Sequence, residues 1–289
     1  MFKNVDIMTA MVTPFNDQNQ VDNDRLKKLI EHLILTGSKG ILVNGTTGES
    51  PTLSEEEKIS LIKETVSLVN GRVPIMAGTG SNNTMETIQF TNEVANIPGV
   101  DAALVVVPYY NKPNQKGMIA HFETIASATE LPIFIYNIPG RTGVTMSVET
   151  IVKLSANERI VGIKDCTGSE NLSIIIEQTP DDFFVYTGED TDSLTAKVLG
   201  ANGVISVASH IFGNEMTKMY QALNEGNIKL AGDIQRELTP KMVALFALPS
   251  PGPAKAALNY RGIHVGDCRL PIQSLNKDET KQLIETLKI

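Results

Sequence analysis

The sequence predicts a closed parallel α/β barrel, the (β/α)8 TIM barrel, with a C-terminal helical extension. Eight short apolar segments rich in β-branched residues alternate with amphipathic stretches, and each closes on polar or glycine-containing turns. Such alternation indicates right-handed βαβ units and a parallel sheet. Eight units within about 210 residues fit a closed barrel better than an open doubly wound sheet. No GxGxxG follows the first segment, which disfavours a dinucleotide-binding fold.

Eight segments are predicted as strands because each is short, apolar and bounded by turn residues. They are residues 7–12, 40–43, 73–77, 103–107, 132–136, 160–163, 183–186 and 203–207. Amphipathic helices are predicted between them, for instance over 23–35, 54–69 and 84–95. Ser54 begins the second of these helices as an N-cap, since Glu57 follows three residues later as in a capping box.

The last part of the chain predicts helices only. After residue 213 the strand pattern ends, and helical patterns cover residues 214–225, 227–248, 253–260 and 277–287. Pro249, Pro251 and Pro253 form a rigid turn between two of these helices. We therefore expect a barrel domain over residues 1–225 and a C-terminal helical region over 226–289 that packs outside the barrel.

Composition narrows the class of protein. The 289 residues carry a formal net charge of -8, which disfavours a broad electrostatic contact with nucleic acid or anionic membranes. There is no apolar run long enough for a membrane helix, and the first residues lack the apolar core of a signal peptide. We expect a cytoplasmic protein. Cys166 and Cys268 are far apart in the sequence, and we expect both to be reduced structural thiols.

Lys164 ends the sixth apolar segment and is followed at once by turn residues. Burial disfavours the charged form of a lysine, so a lysine at this position is costly. A neutral lysine amine can attack a carbonyl carbon and form a Schiff base. A lysine at a strand end can equally extend its ammonium into water. The segment alone leaves both interpretations open.

The loops after the second, fourth and fifth strands carry polar side chains. Residues 45–50 (GTTGES) contain two glycines that allow a tight turn with exposed amides, which suits a carboxylate, although a hydroxyl-rich turn that caps a helix would look the same. Tyr109, Tyr110 and Tyr136 are either amphipathic rim residues or proton-transfer groups. Arg141 either binds a carboxylate through its planar guanidinium or remains solvated.

A metal site and a phosphate site have little support in the sequence. The four histidines are scattered, whereas a catalytic zinc needs about three converging ligands. A phosphate site on the last two loops is supported only by Gly188 and Gly203.

Four motifs together resemble those of the pyruvate-dependent class I aldolase superfamily. They lie at residues 45–50 (GTTGES), 136–142 (YNIPGRT), 162–165 (GIKD) and 203–207 (GVISV). The resemblance covers nearly the whole chain in order, and within the superfamily it is greatest to the 4-hydroxy-tetrahydrodipicolinate synthase family. It implies a lyase that condenses pyruvate with L-aspartate 4-semialdehyde through a lysine Schiff base, in lysine and diaminopimelate biosynthesis. It also implies that no cofactor or metal is needed.

The resemblance also implies roles for individual residues. Lys164 would form the Schiff base with pyruvate, and Thr47 with neighbouring amides would hold the pyruvate carboxylate. Tyr136 would be the central proton donor and acceptor, in line with Thr46 and with a second tyrosine that crosses a subunit interface. We assign that tyrosine to Tyr110.

Four further assignments complete the predicted site. Tyr109 is the fallback for the interface tyrosine. The Ile205 backbone would flank the pyruvate, and Arg141 would bind the carboxylate of aspartate semialdehyde. Gly188 is a further substrate-binding candidate. An interface tyrosine requires a homo-oligomer, either a dimer or a tetramer built as a dimer of dimers.

Two alternatives and one regulatory question remain open at this stage. N-acetylneuraminate lyases and keto-deoxy-sugar-acid aldolases share the pyruvate half of such a site, and an inactive ligand-binding barrel is a different class. The intact set of predicted catalytic groups disfavours the inactive barrel. Asn82, Glu86 and Tyr109 resemble positions that bind inhibitory lysine in relatives, but Glu55 and Lys58 replace the usual histidine. We therefore expect weak or absent inhibition by lysine.

Overall fold

The computed structural model describes residues 2–289, and its eight strands form a closed barrel in the order β1 to β8. Strands β1 and β2 pair in parallel, as do the successive strands from β3 to β8. This arrangement confirms the predicted (β/α)8 fold class. The strands are β1 Ile7–Ala10, β2 Gly40–Val43, β3 Ile75–Gly78, β4 Ala102–Val106, β5 Ile133–Asn137, β6 Ile160–Asp165, β7 Phe184–Thr187 and β8 Gly203–Ser206.

Helices follow the strands and continue beyond β8. They are α1 Asn23–Leu35, α2 Glu55–Val69, α3 Thr84–Ala95, α4 Gln115–Ala128, α5 Pro139–Thr142, α6 Val148–Ser155, α7 Ser169–Gln178, α8 Ser193–Leu199, α9 Ser209–Asn224, α10 Ile228–Ala244, α11 Gly252–Tyr260 and α12 Lys277–Leu287. The predicted bounds of α1, α3 and α12 are confirmed. The predicted capping box of α2 is also present, because the Ser54 hydroxyl accepts from the Glu57 amide and the Glu57 carboxylate accepts from the Ser54 amide.

The contacts divide the chain into two compact units. The first unit consists of Pro74–Ile205 together with the N-terminal residues as far as Val5. The second unit consists of Asp6–Val73 and Ser206–Ile289, and within it α10 packs on α9 while α12 packs on α10 and α11. The boundary at residue 225 between a barrel domain and a C-terminal helical region stays a prediction.

Several predicted boundaries differ from those observed, and two of the errors have a clear physical cause. Strand β6 continues to Asp165 instead of ending at residue 163, because Lys164 and Asp165 pair in register with Tyr136 and Asn137 of β5. Polar side chains therefore belong to the strand itself.

The second error concerns the start of α9, which begins at Ser209 instead of residue 214, with a kink at Phe212 (φ -117°, ψ 26°) between its first turn and the remainder. Gly213, the residue before the predicted start, lies inside α9, where a Cβ atom would be 2.5 Å from the Thr36 carbonyl oxygen. The glycine therefore allows a close approach between α9 and the end of α1, and it does not end the helix.

Across residues 2–289 we find no helix that combines the length and the apolar character needed to span a membrane.

Candidate active site

Lys164 and Tyr136 are neighbours on adjacent strands of the first unit. They are paired in the parallel register of β5 and β6, so their side chains project from the same face of the sheet. The Lys164 Nζ lies 4.4 Å from the centroid of the Tyr136 ring. Lys164 is only 6% exposed and Tyr136 only 7% exposed. Lys164 is therefore buried against an aromatic ring and does not extend its ammonium into water.

The Tyr136 phenol is held in its protonated form. Burial raises its pKa above the ordinary value of 10.0, while Lys164 opposes that shift, the Cys166 thiol adds to it, and Arg141 opposes it. A phenol with a raised pKa keeps its proton at neutral pH and can donate it to a developing negative charge. The arrangement therefore supplies an amine and a proton donor side by side.

Arg141 lies on the loop that follows β5. Its helix α5 is a single turn that begins with Pro139 and ends at Gly143 in the left-handed conformation. The Arg141 side chain is exposed, and its charge acts on the Tyr136 phenol. A guanidinium whose charge acts on the Tyr136 phenol can provide a bidentate partner for a carboxylate.

Gly188 follows β7 and makes room for the lysine side chain. A Cβ atom at this position would be 2.7 Å from Lys164 Cε and 2.3 Å from Cys166 Sγ. Both distances are shorter than non-bonded atoms tolerate. The position therefore requires glycine if Lys164 is to keep its conformation.

Cys166 lies beside Lys164. The sequence predicted a structural thiol here but not its place next to the lysine. Burial raises the pKa of the Cys166 thiol to about 12, so it remains protonated at neutral pH. Since the thiolate is the nucleophile, the thiol does not compete with the lysine amine for a carbonyl compound. Cys166 and Cys268 are both free thiols, as predicted.

Asn137 and Asp165 form a buried polar bridge that sequence reasoning missed. The Asn137 Nδ2 donates to Asp165 Oδ1 at 2.9 Å, and the two residues are 0% and 2% exposed. Each directly follows a predicted catalytic group, Tyr136 or Lys164, in the sequence. Polar residues at the last positions of two adjacent strands are the signal that could have revealed the bridge.

The two candidate interface tyrosines lie on the loop after β4. Tyr110 is 87% exposed and has a left-handed φ of 70°, whereas Tyr109 is 39% exposed. The Tyr109 carbonyl oxygen accepts from Asn82 Nδ2, and Asn111 Nδ2 donates to the Asn82 carbonyl oxygen. The loop thus presents Tyr110 outward from the single chain, as an interface residue would be presented. Its contact with a second subunit stays a prediction.

Ile205 lies in β8 and is fully buried. Its side chain forms part of the core. A role for its backbone beside a substrate stays a prediction.

In the second unit, Thr46 and Thr47 lie on the tight turn after β2. Thr46 is exposed and Thr47 is buried. The left-handed positions of the turn are Asn44 and Glu49, at φ 57° and 55°, whereas Gly48 provides close approach, since a Cβ atom there would be 3.1 Å from the Met11 carbonyl oxygen. The Gly48 amide donates to the Gly45 carbonyl within the turn, and the Glu49 amide donates to that of Thr46. These two amides therefore already donate hydrogen bonds within the turn.

Glu49 anchors this turn through a buried ion pair that sequence reasoning also missed. Its Oε1 lies 2.6 Å from Lys255 Nζ, and its Oε2 accepts from the Arg269 amide at 2.7 Å. Lys255 also donates to the Asp267 carbonyl oxygen and lies 4.2 Å from the centroid of the Phe15 ring. Burial lowers the pKa of the Lys255 ammonium, and Glu49 opposes that shift. The turn is therefore held by the C-terminal part of the chain.

The histidines offer no converging set of ligands. The His210 Nδ1–H donates to the Val207 carbonyl oxygen, and its Nε2 accepts from the Val12 amide. Within residues 2–289, no group of three or more His, Cys, Asp or Glu side chains is arranged to hold a metal ion.

Comparison with known proteins places the chain in one family. The model of the dihydrodipicolinate synthetase family matches residues 3–289. A 4-hydroxy-tetrahydrodipicolinate synthase from Ligilactobacillus salivarius is 60% identical over 288 residues, which cover 100% of this chain and 99% of that protein. The enzyme of the same name from Limosilactobacillus reuteri is 56% identical over 289 residues, with coverage of 100% and 94%.

A solved structure gives the same result. The crystal structure of dihydrodipicolinate synthase DapA-2 from Bacillus anthracis is 47% identical and superimposes with a TM-score of 0.97, over 100% of this chain and 99% of that one. The resemblance that the sequence motifs indicated is thereby confirmed. The chain belongs to the dihydrodipicolinate synthetase family.

Proposed function

We propose that this chain condenses pyruvate with L-aspartate 4-semialdehyde to give 4-hydroxy-tetrahydrodipicolinate. The observation that carries the proposal is the buried pair of Lys164 and Tyr136, with Nζ 4.4 Å from the ring centroid. Family membership over the full chain supports the same reaction.

The reaction begins with the Lys164 amine, which attacks the C2 carbonyl of pyruvate and forms an imine as water leaves. The protonated imine withdraws electrons from C3, so a C3 proton is lost and an enamine forms. Tyr136 donates and accepts the protons of these steps, which are typically accelerated about 10²–10⁴-fold by such help. Thr46 of the same chain extends the line of proton transfer. The partner subunit's Tyr110 continues it.

The second substrate completes the ring. The enamine carbon attacks the aldehyde, and the amine of aspartate semialdehyde then attacks C2 and displaces Lys164. Arg141 binds the carboxylate of this substrate, and Gly188 leaves room for the lysine and its adduct. Thr47 would hold the pyruvate carboxylate, and the Ile205 backbone would flank the pyruvate. Both roles depend on the resemblance of their motifs to those of the family.

Homo-oligomerisation and cytoplasmic location are part of the proposal. The exposed Tyr110, at 87%, supports an interface between copies of the chain, in a dimer or a dimer of dimers. We also propose that lysine inhibits weakly or not at all, because Lys58 would repel a cationic effector. The reaction itself needs no cofactor in this scheme.

Turnover of pyruvate with aspartate semialdehyde tests the proposal, coupled to reduction of the cyclic product. N-acetylneuraminate cleavage is the parallel assay for the sugar-acid lyases, which the names of the relatives do not favour. Fast turnover in the first assay and none in the second supports the synthase. The reverse result assigns the chain to the lyases, and no turnover in either leaves a ligand-binding barrel.

The variant Arg141→Gln tests binding of aspartate semialdehyde separately from the reaction of Lys164 with pyruvate. Loss of a charge-assisted contact costs roughly 1.5–3 kcal/mol, so the KM for aspartate semialdehyde should rise about 10–100-fold. Formation of the pyruvate imine, trapped with borohydride, should be unchanged. An unchanged KM would contradict the role of Arg141.

A further inference from the structure

The Asn137 side chain is a fully used hydrogen-bonding group in the core of the first unit. Its Nδ2 donates to Asp165 Oδ1 at 2.9 Å and to the Met146 carbonyl oxygen at 3.1 Å, and its Oδ1 accepts from the Met146 amide at 3.1 Å. Both amide protons and the oxygen are satisfied. A reversed amide would oppose donor to donor and acceptor to acceptor at these partners, so the orientation is determined.

Asp165 is fixed on both of its carboxylate oxygens. Oδ1 accepts from Asn137, and Oδ2 accepts from the Thr167 amide at 2.9 Å and from the Thr167 hydroxyl. The backbone adds two bonds, from the Gly188 amide to the Asp165 carbonyl oxygen and from the Cys166 amide to that of Asn137. The ends of β5 and β6 are therefore joined by side chains as well as by the backbone ladder.

This bridge lies on the reverse side of the Lys164 and Tyr136 pair. In the register of β5 and β6, Tyr136 pairs with Lys164 and Asn137 pairs with Asp165. Successive side chains of a strand point to opposite faces, so the bridge projects away from the amine and the phenol. Each bridging Cα is about 3.8 Å from the Cα of a predicted catalytic residue. A shift of the bridge therefore moves that residue.

Asn137 also closes the loop that carries Arg141. Its two bonds to Met146 join the start and end of residues 138–145, and α5 with Arg141 lies between them. One buried side chain thus contacts the strand of Tyr136, the strand of Lys164 and the loop of Arg141.

We propose that Asn137 and Asp165 are positioning residues, which hold the Lys164 amine, the Tyr136 phenol and the Arg141 loop in their reactive arrangement. The inference extends the proposed function, because it assumes that these three groups act on pyruvate and aspartate semialdehyde. A displacement of about 1 Å is enough to reduce a rate about 10²-fold, so a rigid bridge at this point affects the rate directly.

The test compares variants of the bridge with a matched control in the same unit. Asn137→Ala and Asp165→Ala remove the bridge, whereas Asp165→Asn keeps its size and an acceptor for Asn137. Asn202→Ala is the control, because Asn202 Oδ1 accepts from the Val185 amide next to the beginning of β7, at the other strand end. Each full-length variant is assayed for kcat, for both KM values, for borohydride trapping at Lys164 and for thermal unfolding.

We expect the two alanine variants to lose about 10–100-fold in kcat/KM for pyruvate and in the trapping rate, and Asn137→Ala to raise the KM for aspartate semialdehyde as well. Asp165→Asn should lose activity several-fold, because its amide nitrogen would face the Thr167 amide, and Asn202→Ala should be less stable yet as active as wild type. Wild-type kcat/KM in folded Asn137→Ala would overturn the inference, as would an equal loss in Asn202→Ala.

If the alanine variants do not fold, Thr167→Val takes their place. It removes only the hydroxyl bond to Asp165, and a loss of several-fold in the trapping rate is expected. A trapping rate equal to that of wild type would overturn the inference. Wild-type protein without turnover would instead refute the proposed function, so the two failures are distinguishable.

Discussion

Lys164 and Lys255 are both buried lysines that lie against an aromatic ring, yet their surroundings differ. Lys164 is 6% exposed with Nζ 4.4 Å from the Tyr136 ring centroid, and Lys255 is 2% exposed with Nζ 4.2 Å from that of Phe15. The ion pairs among residues 2–289 include Lys255 but not Lys164. Burial alone therefore does not define a reactive lysine.

The acceptors around each amine account for the difference. Lys255 donates to the Asp267 carbonyl oxygen and is paired with the Glu49 carboxylate, so its protons are engaged. Lys164 faces the Tyr136 phenol, and the lack of a Cβ at Gly188 leaves the space that the Lys164 side chain occupies. The ion pair holds Lys255 as a fixed structural cation, whereas Lys164 is the amine on which the proposed reaction depends.

The largest expected effect is on catalysis by Lys164→Met. Turnover should fall by at least about 10³-fold, because no imine can form without the amine. The free energy of unfolding should stay unchanged or increase, because an amine without a carboxylate partner is removed from the interior. Coupled turnover, borohydride trapping followed by mass spectrometry, and urea unfolding measure these effects. A pyruvate adduct that persists at a single site would exclude Lys164 as the Schiff-base residue.

Lys255→Met should have the opposite profile. It leaves the Glu49 carboxylate buried without its cation, which typically costs about 3–5 kcal/mol of unfolding free energy. The folded fraction should still form the trapped pyruvate adduct at Lys164. Urea unfolding and trapping on the same preparation check both statements.

The double variant Glu49→Leu with Lys255→Met refines this prediction. Replacement of a whole buried ion pair by apolar groups is often neutral, so most of the lost stability should return. Lys229→Gln, which breaks the exposed pair with Asp233, is the control and should not change the unfolding midpoint measurably. A double variant as unstable as the single one would show that Glu49 has a further role in folding.

His210 extends the comparison to a buried base held only by backbone groups. Burial lowers its pKa from 6.5 to about 4, so it is neutral in the folded protein. Between these values the unfolded chain binds more protons, so stability is fully present above pH 6.5 and is lost as the pH falls towards 4. His210 should account for roughly 2 kcal/mol between pH 7 and pH 5.

Urea unfolding at both pH values measures this loss, with His210→Gln as the variant. The variant is expected to be less stable at pH 7 and to lose less stability on acidification. An equal pH dependence in both proteins would mean that His210 is not neutral when folded.

The smallest expected effect concerns the thiol beside Lys164. Burial raises the pKa of Cys166 to about 12 and that of Cys268 to about 11, so neither is a thiolate at pH 8. Iodoacetamide at pH 8 should leave both unmodified in the native protein and alkylate both in urea. Rapid native alkylation of Cys166 would show that the surroundings of Lys164 are more open than the structure indicates.

The sequence allowed the fold and the centre of the candidate site to be predicted because both depend on local patterns. Strand periodicity located all eight strands to within about two residues, and Lys164, Tyr136 and Arg141 are each placed by a strand end. These residues carry their signal in their immediate neighbours. The assignments of individual roles stay predictions until the variants are measured.

The remaining features could not be predicted because they depend on pairs of residues far apart in the sequence. Asn137 and Asp165 meet only when β5 and β6 are in register, and Glu49 meets Lys255 only after the chain has folded back. Each residue looks like an ordinary polar residue in isolation. The left-handed conformation of Glu49 was likewise not predictable, since glutamate has no intrinsic preference for it.

The anchoring of Glu49 by the C-terminal part of the chain has a consequence for biosynthesis. The Glu49 carboxylate accepts a hydrogen bond from the Arg269 amide, and the two residues are 220 positions apart in the sequence. At about 5–20 residues per second, a ribosome takes roughly 10–45 s to add that length of chain. The turn with Thr46 and Thr47 therefore emerges long before its anchor exists. A nascent or truncated chain that lacks α11 would have to bury a lone carboxylate, so the final form of this turn has to wait for near-complete translation.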